Sequence, residues 1–398
     1  RSGPSSLLRC RPGLISPPAP EPPVASAYTL ITRHEDLSAL MERLSKEPIV
    51  ALDTEASSFH RYTERICLIQ LSTRDTTWLV DPLALPDLEP LGKALAGAGT
   101  EWVIHDADYD LRMLKRAGGH RVLRVFDTMV AAELLNEPEL GLAANLNKHF
   151  GVTLDKRFQK ADWSKRPLPE DMLAYAAMDT TYLIGLRDIL KKKLEDMGRW
   201  SWAEEEFAHL VGIPYADTGA EEPGFLRIKG AKILKPRQLA VLRELHAWRD
   251  SLAERLDRAP FIVLGNDTLI DLSKDPPADM AELGKRKGVG ENALQRNGTA
   301  IMKAIQHGLS LPKEEWPRLE RPKRYERDDD YEERLKRLKV VREELMVEHQ
   351  LRPGIVCPNY VLADIARLLP KSMDELTALP GLRNWQVKEF GARLLSVL

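Results

Sequence analysis

The stretch Ile49-Val50-Ala51-Leu52-Asp53-Thr54-Glu55 (residues 49–55) combines an apolar run with two carboxylates. The apolar run predicts a buried β-strand. Side chains two apart along a strand point to the same face, so Asp53 and Glu55 share one side of it. Two acids held this close would repel each other unless a cation lay between them, and Mg²⁺ or Mn²⁺ prefers oxygen ligands. Solvent-exposed acids at the end of a strand are the alternative explanation.

The segments around this strand alternate between helix and strand patterns. A helical stretch precedes it at residues 35–47, and further strands are predicted at 66–71, 78–80 and 102–105, with helices at 87–96 and 107–117. From residue 141 to 197 the pattern is helical, and its longest segment runs from 170 to 197. This order predicts an α/β domain, a mixed sheet covered by helices, over residues 28–209.

The remainder of the chain is predicted to consist of two helical modules and two linkers. Residues 210–224 are rich in Gly, Pro and acids, and residues 310–330 form a second, charged linker. A shift of 93 residues without a gap superposes twelve identical residues of 225–309 on 331–398, among them Arg249 on Arg342 and Pro260 on Pro353. These matches predict a duplicated, compact, all-α bundle.

The first 27 residues, with seven prolines and one acid, are predicted to be a disordered leader. A clipped organellar transit peptide is the alternative, because such peptides are rich in Arg and Ser and poor in acids. The three cysteines, Cys10, Cys67 and Cys357, lie too far apart in sequence for a disulfide framework or a zinc site. We therefore expect a reducing compartment, the cytoplasm, or an organelle if the leader is a transit peptide.

Composition and missing motifs exclude several classes of protein. The 398 residues carry 58 basic and 60 acidic side chains, and no apolar run reaches the ~18 residues of a membrane-spanning helix. The chain lacks GxxxxGK[ST], HExxH and GxSxG, which argues against a phosphate-loop ATPase, a zincin and an α/β-hydrolase. No nucleotide cofactor and no membrane partner are expected.

Further carboxylates lie near the predicted helices. Asp110 lies near the start of the helix at 107–117, where Asp106 and Asp108 are equally possible candidates and where an acid can merely complement the helix dipole. Tyr175 and Asp179 are four residues apart and share one helical face. Each of these signals alone is weak, since an ordinary hydrogen-bonded pair on a helix gives the same spacing.

Together, however, the order Asp53-x-Glu55, Asp110, Asp179, with Tyr175 four residues before the last acid, is specific. It resembles the tyrosine-containing branch of the DEDD superfamily of 3′→5′ exonucleases, and within it the ribonuclease D family. The matching motifs are LDTE (52–55), ICLIQLS (66–72), VIH (103–105) through Asp110-Leu111, and LAYAAMDTTYL (173–183), with the approach from Leu154 to Leu168. The two modules resemble HRDC domains, which supports the same family.

The resemblance implies a ribonuclease H-like exonuclease domain that binds two divalent ions, Mg²⁺ or Mn²⁺, per active site. Asp53 would contact both ions, Glu55 and Asp179 the one that activates water, and Asp110 the second, while Tyr175 would orient the nucleophile. The implied reaction releases 5′-mononucleotides from RNA with a free 3′ end, in the maturation of tRNA precursors or other structured RNA. A monomer is expected.

Several substrate contacts are also predicted. Lys156, Gln159, Trp163 and Arg166 belong to a basic and aromatic stretch suited to phosphate contact and base stacking, and the motif resemblance adds Thr54 and His105. A solvated loop with one buried Trp fits the stretch equally well. In the first module, the run from Lys285 to Lys287 beside Gly288 is either a phosphate contact or a solvated face.

Two other functions would use a similar chain. A DNA 3′→5′ exonuclease of repair type would need the same acids, since RNA is distinguished by contacts with its 2′-hydroxyl. A non-catalytic nucleic-acid-binding adaptor would be expected to have lost an acid, and all four are present.

The charge is unevenly distributed along the chain. Residues 28–224 hold 23 basic and 33 acidic side chains, whereas residues 225–309 hold 15 basic and 10 acidic ones. The positive charge of the first module suits a polyanionic substrate.

Overall fold

A computed structural model describes residues 28–213, 222–319 and 328–398. The predicted leader, and the central parts of both predicted linkers (214–221 and 320–327), lie outside the described residues. Within the described part of the chain, no helix is both long and apolar enough to cross a membrane. Cys67 and Cys357 are buried free thiols, and Cys10 lies outside the described residues.

The first domain is built on a mixed sheet, as the sequence predicts, and this sheet has six strands. Its strands are β1 (Tyr28–Ile31), β2 (Ile49–Ala56), β3 (Ile66–Ser72), β4 (Thr77–Val80), β5 (Glu101–Ile104) and β6 (Val125–Asp127). They lie in the order β1-β4-β3-β2-β5-β6, with β2 antiparallel to β3 and parallel to β5. The apolar run at 49–52 predicted that the strand ends before Asp53. β2 instead continues to Ala56, so Asp53 and Glu55 lie within the strand.

Helices cover both faces of the sheet. They are α1 (His34–Leu44), α2 (Glu89–Leu95), α3 (Ala107–Gly118), α4 (Thr128–Leu134), α5 (Leu142–Phe150), α6 (Glu170–Thr181), α7 (Leu183–Asp196) and α8 (Trp200–Gly212). Leu37, Leu52 and Leu91 belong to the core between the sheet and α1 to α3. On the opposite face, α6 packs on Leu68 and Leu79 through its buried alanines.

Four details differ from the sequence prediction. β1 and β6 are short edge strands of four and three residues, too short to give a period-two pattern. Residues 151–169 are almost entirely irregular, not helical, and the helix predicted at 170–197 is interrupted at Tyr182. α8 continues to Gly212, so the domain end predicted at residue 209 falls inside a helix.

The two C-terminal modules are all-α and share one arrangement. The first contains α9 (Pro236–Arg255), α10 (Pro260–Val263), α11 (Asn266–Lys274), α12 (Met280–Gly284) and α13 (Glu291–Ser310), preceded by short 3₁₀ helices at Gly224–Arg227 and Ala231–Ile233 and followed by one at Lys313–Glu315. The second contains α14 (Asp329–His349), α15 (Pro353–Val356), α16 (Asn359–Leu368), α17 (Met373–Thr377) and α18 (Asn384–Leu395). The starts of all five helices are 93 residues apart, which confirms the duplication.

The repeated arginine is part of the module's framework. Nη1 of Arg249 donates to the carbonyl of Leu264 at 2.9 Å and to Oδ1 of Asn266 at 2.7 Å. Nη1 of Arg342 donates to the carbonyl of Cys357 at 3.2 Å and to Oδ1 of Asn359 at 2.7 Å. The same two acceptors at the same offset indicate that each arginine fixes the start of the third helix of its module.

Candidate active site

Three of the predicted acids converge on the face of the sheet that α6 covers. One carboxylate oxygen from each of Asp53, Glu55 and Asp179 lies within 4.8 Å of the others. Asp53 and Glu55 come from β2, and Asp179 from α6, which packs across β2, β3 and β4. Ala176 and Ala177 are fully buried in α6, and their small side chains allow the helix to approach the sheet closely.

Asp110 approaches the same cluster from α3. It is buried, and its Oδ1 accepts a hydrogen bond from the hydroxyl of Thr54. Its negative charge contributes to raising the pKa of Glu55, which places it near the other acids. Asp108 instead pairs with Arg112 on the solvent side of α3. The structure therefore selects Asp110 among the acids that the sequence left open at this helix start.

The cluster has no compensating positive charge among the described residues, since no Lys or Arg forms an ion pair with any of its four acids. Burial raises the pKa of Asp53 to about 7. Burial, together with the charges of Asp53, Asp179 and Asp110, raises the pKa of Glu55 to about 10. Burial and the charge of Asp53 also raise the pKa of Asp110 and of Asp179. An all-oxygen set of this kind fits hard divalent cations, which would supply the missing charge.

Tyr175 lies one helical turn before Asp179. Burial, followed by the charges of Asp179 and Glu55, raises its pKa, so the hydroxyl is protonated at neutral pH. Its ring is held by Phe158 and Trp163, with centroids 5.7 Å and 6.1 Å away. This arrangement suits a hydroxyl that donates a hydrogen bond and orients a reacting group better than it suits a base.

Asp127, which the sequence analysis missed, anchors α3. Its carboxylate accepts backbone N–H bonds from Asp106 at 3.1 Å, Ala107 at 2.8 Å, Met129 at 2.8 Å and Val130 at 3.2 Å. Asp106 has a φ of 64°, a left-handed conformation that such bonds help to hold. Asp127 thereby fixes the helix that carries Asp110. The signal was an Asp after a short apolar run, a typical N-cap position.

Three of the predicted substrate contacts have structural roles instead. Trp163 is 1% exposed and cannot stack on a base, so that prediction is wrong. Nε and Nη2 of Arg166 donate to the carboxylate of Asp81 at 2.6 Å and 2.7 Å, and its remaining donors bind backbone carbonyls. Thr54 is 8% exposed and bonded to Asp110. The side-chain donors of Arg166 and Thr54 are thus used within the protein, and the ring of Trp163 is enclosed, which sequence spacing does not reveal.

The other predicted contacts are differently placed. Lys156 and Gln159 are exposed on the loop between α5 and α6. His105 lies 2.9 Å, through Nδ1, from Oγ1 of Thr128, and burial lowers its pKa to about 4, so its imidazole is neutral. In the first module, Lys285 and Lys287 are exposed, whereas Arg286 pairs with Asp275 at 2.8 Å. For these residues substrate contact stays a prediction.

The loop that follows β2, residues 57–65, connects the site to the first module; we call it the rim loop. The hydroxyl of Tyr62 donates to Oδ2 of Asp250 at 3.0 Å, and the backbone N–H of Ala259 donates to the carbonyl of His60 at 3.2 Å. On its other side, Nε of Arg61 donates to Ser164 at 2.7 Å. The first module therefore contacts the chain five to seven residues beyond Glu55, the last catalytic candidate of β2.

Comparison with known proteins gives one consistent result. Residues 28–195 match the family described as 3′-5′ exonuclease, and residues 238–305 and 332–398 each match the HRDC domain. The chain is 32% identical over 371 residues to ribonuclease D of Gluconacetobacter diazotrophicus, covering 92% of each chain. It is 25% identical to a protein of known structure from Bifidobacterium adolescentis, with a TM-score of 0.80 over 93% of this chain and 96% of that one. RNase D of Escherichia coli, described as an exoribonuclease involved in structured RNA processing, shares the fold at 24% identity, with a TM-score of 0.69 over 94% and 98% of the two chains.

Proposed function

Because this chain belongs to the ribonuclease D family and is a 3′→5′ exoribonuclease, we propose that it trims the 3′ ends of structured RNA, tRNA precursors above all. The observation that carries this proposal is the convergence of Asp53, Glu55 and Asp179 to within 4.8 Å, from motifs far apart in the chain. A cluster of partly buried acids without compensating cations destabilises the fold unless the acids have a function. Metal-dependent phosphodiester hydrolysis is a purpose that uses every member of it.

The acids would hold two divalent ions, Mg²⁺ or Mn²⁺. Asp53, Glu55 and Asp179 would bind one, and Asp53 with Asp110 the other. Bound there, such ions activate water and neutralise the charge that develops on the phosphate oxygens. The carboxylates must lose their protons to bind a cation, so affinity for the metal should rise with pH as Asp53, near pH 7, and then Glu55 ionise.

The side chains around the acids orient and enclose the reacting groups. Tyr175 would donate a hydrogen bond to a reacting group through its protonated hydroxyl, and its ring is held in place by Phe158 and Trp163. Thr54 fixes the carboxylate of Asp110, and Asp127 fixes the helix beneath it. Such preorganisation places acceptors and donors before the reaction begins, which is the protein's main contribution to this type of catalysis.

The RNA would approach along exposed polar and cationic side chains of the nuclease domain and of the first module. Lys156 and Gln159 belong to the nuclease domain, and Lys285 and Lys287 to the first module. Cations in such positions favour a polyanion irrespective of its sequence. We further propose that the protein acts as a monomer in the cytoplasm. The buried free thiols of Cys67 and Cys357 support a reducing compartment.

The test uses a hairpin with a single-stranded 3′ tail, prepared as RNA and as DNA. The full chain should shorten the RNA tail in Mg²⁺ or Mn²⁺, release 5′-mononucleotides and be inactive in EDTA. Asp53→Asn, which keeps the size of the side chain, should slow trimming by about a thousand-fold, since several kcal/mol of transition-state stabilisation depend on a metal site. Equal rates on DNA, or full activity of Asp53→Asn, would overturn the proposal.

A further inference from the structure

Gln70 is a buried polar residue that the proposed mechanism does not yet use. It lies in the middle of β3 with no exposed surface. Neither its Nε2 nor its Oε1 has a hydrogen-bond partner among the described residues. A buried amide without partners destabilises a protein by about 1–3 kcal/mol, and such groups are rare in folded proteins. Its presence therefore calls for an explanation.

The strand register places Gln70 beside the acid cluster. In the antiparallel pairing of β2 and β3, Gln70 lies directly opposite Asp53. Residues that face each other in such a pair point to the same side of the sheet, with Cβ atoms about 4.5–5.5 Å apart. The amide of a glutamine extends two bonds beyond its own Cβ, so a neighbouring carboxylate is within its reach.

The other neighbours of Gln70 within the sheet are apolar or already have hydrogen-bond partners. On its second side Gln70 lies opposite Leu79 of β4. Two residues further along β3, Ser72 already interacts with Thr180 at 2.7 Å and Thr77 at 2.8 Å. The sheet thus leaves Asp53 as the polar neighbour directly beside Gln70 among the described residues.

We propose that Gln70 is a positioning residue of the metal site, whose amide donates a hydrogen bond to the ionised carboxylate of Asp53. The inference rests on the proposed metal-dependent function. When Asp53 binds a cation, one of its oxygens coordinates and the other needs a donor to fix its orientation. A donor fixed in the rigid centre of β3 satisfies that need.

Gln70→Met tests this inference, because methionine is similarly long and unbranched but cannot donate. Binding of Mn²⁺ to the full chain, measured by electron paramagnetic resonance of free Mn²⁺, should weaken about ten- to hundred-fold, the usual effect of losing a residue that orients a metal ligand. Without metal, the melting temperature should stay the same or rise, since an unpaired buried amide is removed. A structural role alone would lower the melting temperature and leave the affinity for Mn²⁺ unchanged.

Leu79→Met is the matched control, with the same new side chain on the opposite side of Gln70. It should bind Mn²⁺ as the wild type does. Wild-type affinity in Gln70→Met, or an equal loss in both variants, overturns the inference. A wild-type chain that binds no Mn²⁺ refutes the proposed metal site itself, which is a distinguishable result. Gln70→Leu serves as a second variant with the same expected loss, should Gln70→Met fold poorly.

Discussion

The two helical modules each contain five equivalent helices, but they are attached to the nuclease domain by different kinds of contact. In the second module, Trp385 stacks on Trp202 of α8 with centroids 4.5 Å apart and donates through Nε1 to Glu206 at 2.9 Å. The core of the second module is continuous with that of the nuclease domain. The first module has a core of its own and meets the nuclease domain through polar groups of the rim loop.

Two positions account for much of this difference. A shift of 93 residues places Asn292 where the second module has Trp385, and Asn297 where it has Phe390. Both aromatic residues are buried against each other and against Trp202, whereas Asn292 is exposed. The same helical bundle is therefore part of the nuclease core in the second module and packs separately in the first module, and the side chains on its last helix account for the difference. We infer that the first module is the one free to adjust to a substrate.

The largest expected effect comes from replacing Trp385 of the second module by asparagine, the residue that the first module has at the equivalent position 292. Trp385 is 4% exposed, and truncating a buried Trp costs about 3–5 kcal/mol. Trp385→Asn should therefore lower the free energy of unfolding by that amount in urea denaturation. Asn292→Ala is the control at the equivalent, exposed position, with an expected change within about 0.5 kcal/mol. A loss below about 1 kcal/mol for Trp385→Asn would contradict a shared core.

The next effect tests what the modules have in common. Arg249→Met and Arg342→Met each leave a loop carbonyl and an Asn side chain without their donor. Each should cost about 1–3 kcal/mol. Arg249→Met should lower the unfolding midpoint of the first module and Arg342→Met that of the shared core, which intrinsic fluorescence and hydrogen exchange can distinguish. The prediction would be contradicted if Arg249→Met destabilised the shared core or Arg342→Met destabilised the first module.

A third prediction uses pH. The pKa of Asp53 is raised from its ordinary value near 4 to about 7, so between these values the folded state binds more protons than the unfolded state. In EDTA the stability of the shared core should therefore fall as pH rises from 5 to 8, while the first module is less affected. Mg²⁺ should reverse the loss, and Asp53→Asn should reduce the slope. A stability that rises over this range would contradict the prediction.

The smallest effect concerns the rim loop. Asp257 lies 3.8 Å from Arg61 and is 44% exposed, and such exposed pairs contribute about 0.2–1 kcal/mol. Combining Tyr62→Phe with Asp257→Asn should raise KM for tailed RNA about two- to five-fold, with kcat and melting temperature nearly unchanged. Asp267→Asn removes the same charge from an exposed position of the first module and should leave KM unchanged. Equal effects of both changes would point to overall charge instead of docking.

Features that depend on a short period or a fixed spacing could be predicted from the sequence alone. The alternation along 49–55 placed Asp53 and Glu55 on one face, and the four-residue step placed Tyr175 and Asp179 on one side of α6. The duplication was visible because twelve identical residues of the two modules keep a constant offset of 93. These features are local, or repeat a local pattern, so no knowledge of neighbouring elements was needed.

Other features depended on which elements meet. Residue pattern alone did not distinguish Asp110 from Asp106 and Asp108, and only the family resemblance pointed to Asp110. Trp163 and Arg166 looked like substrate contacts until their burial and internal contacts were visible. Nothing in the sequence indicated a role for Gln70 beyond its place in ICLIQLS. Its position opposite Asp53 is known only from the strand register.

The sequence by itself determined the α/β class of the first domain and the repeated all-α modules, since these follow from periodicity, spacing and residue type, while the set of acids followed from the resemblance to a known family. Only the tertiary structure decided that Asp53, Glu55 and Asp179 lie within 4.8 Å of one another, and that one module shares the nuclease core while its copy does not. The physical reason is that burial, charge coupling and hydrogen-bond partners arise between segments distant in the chain, and a single sequence does not record which segments pack together.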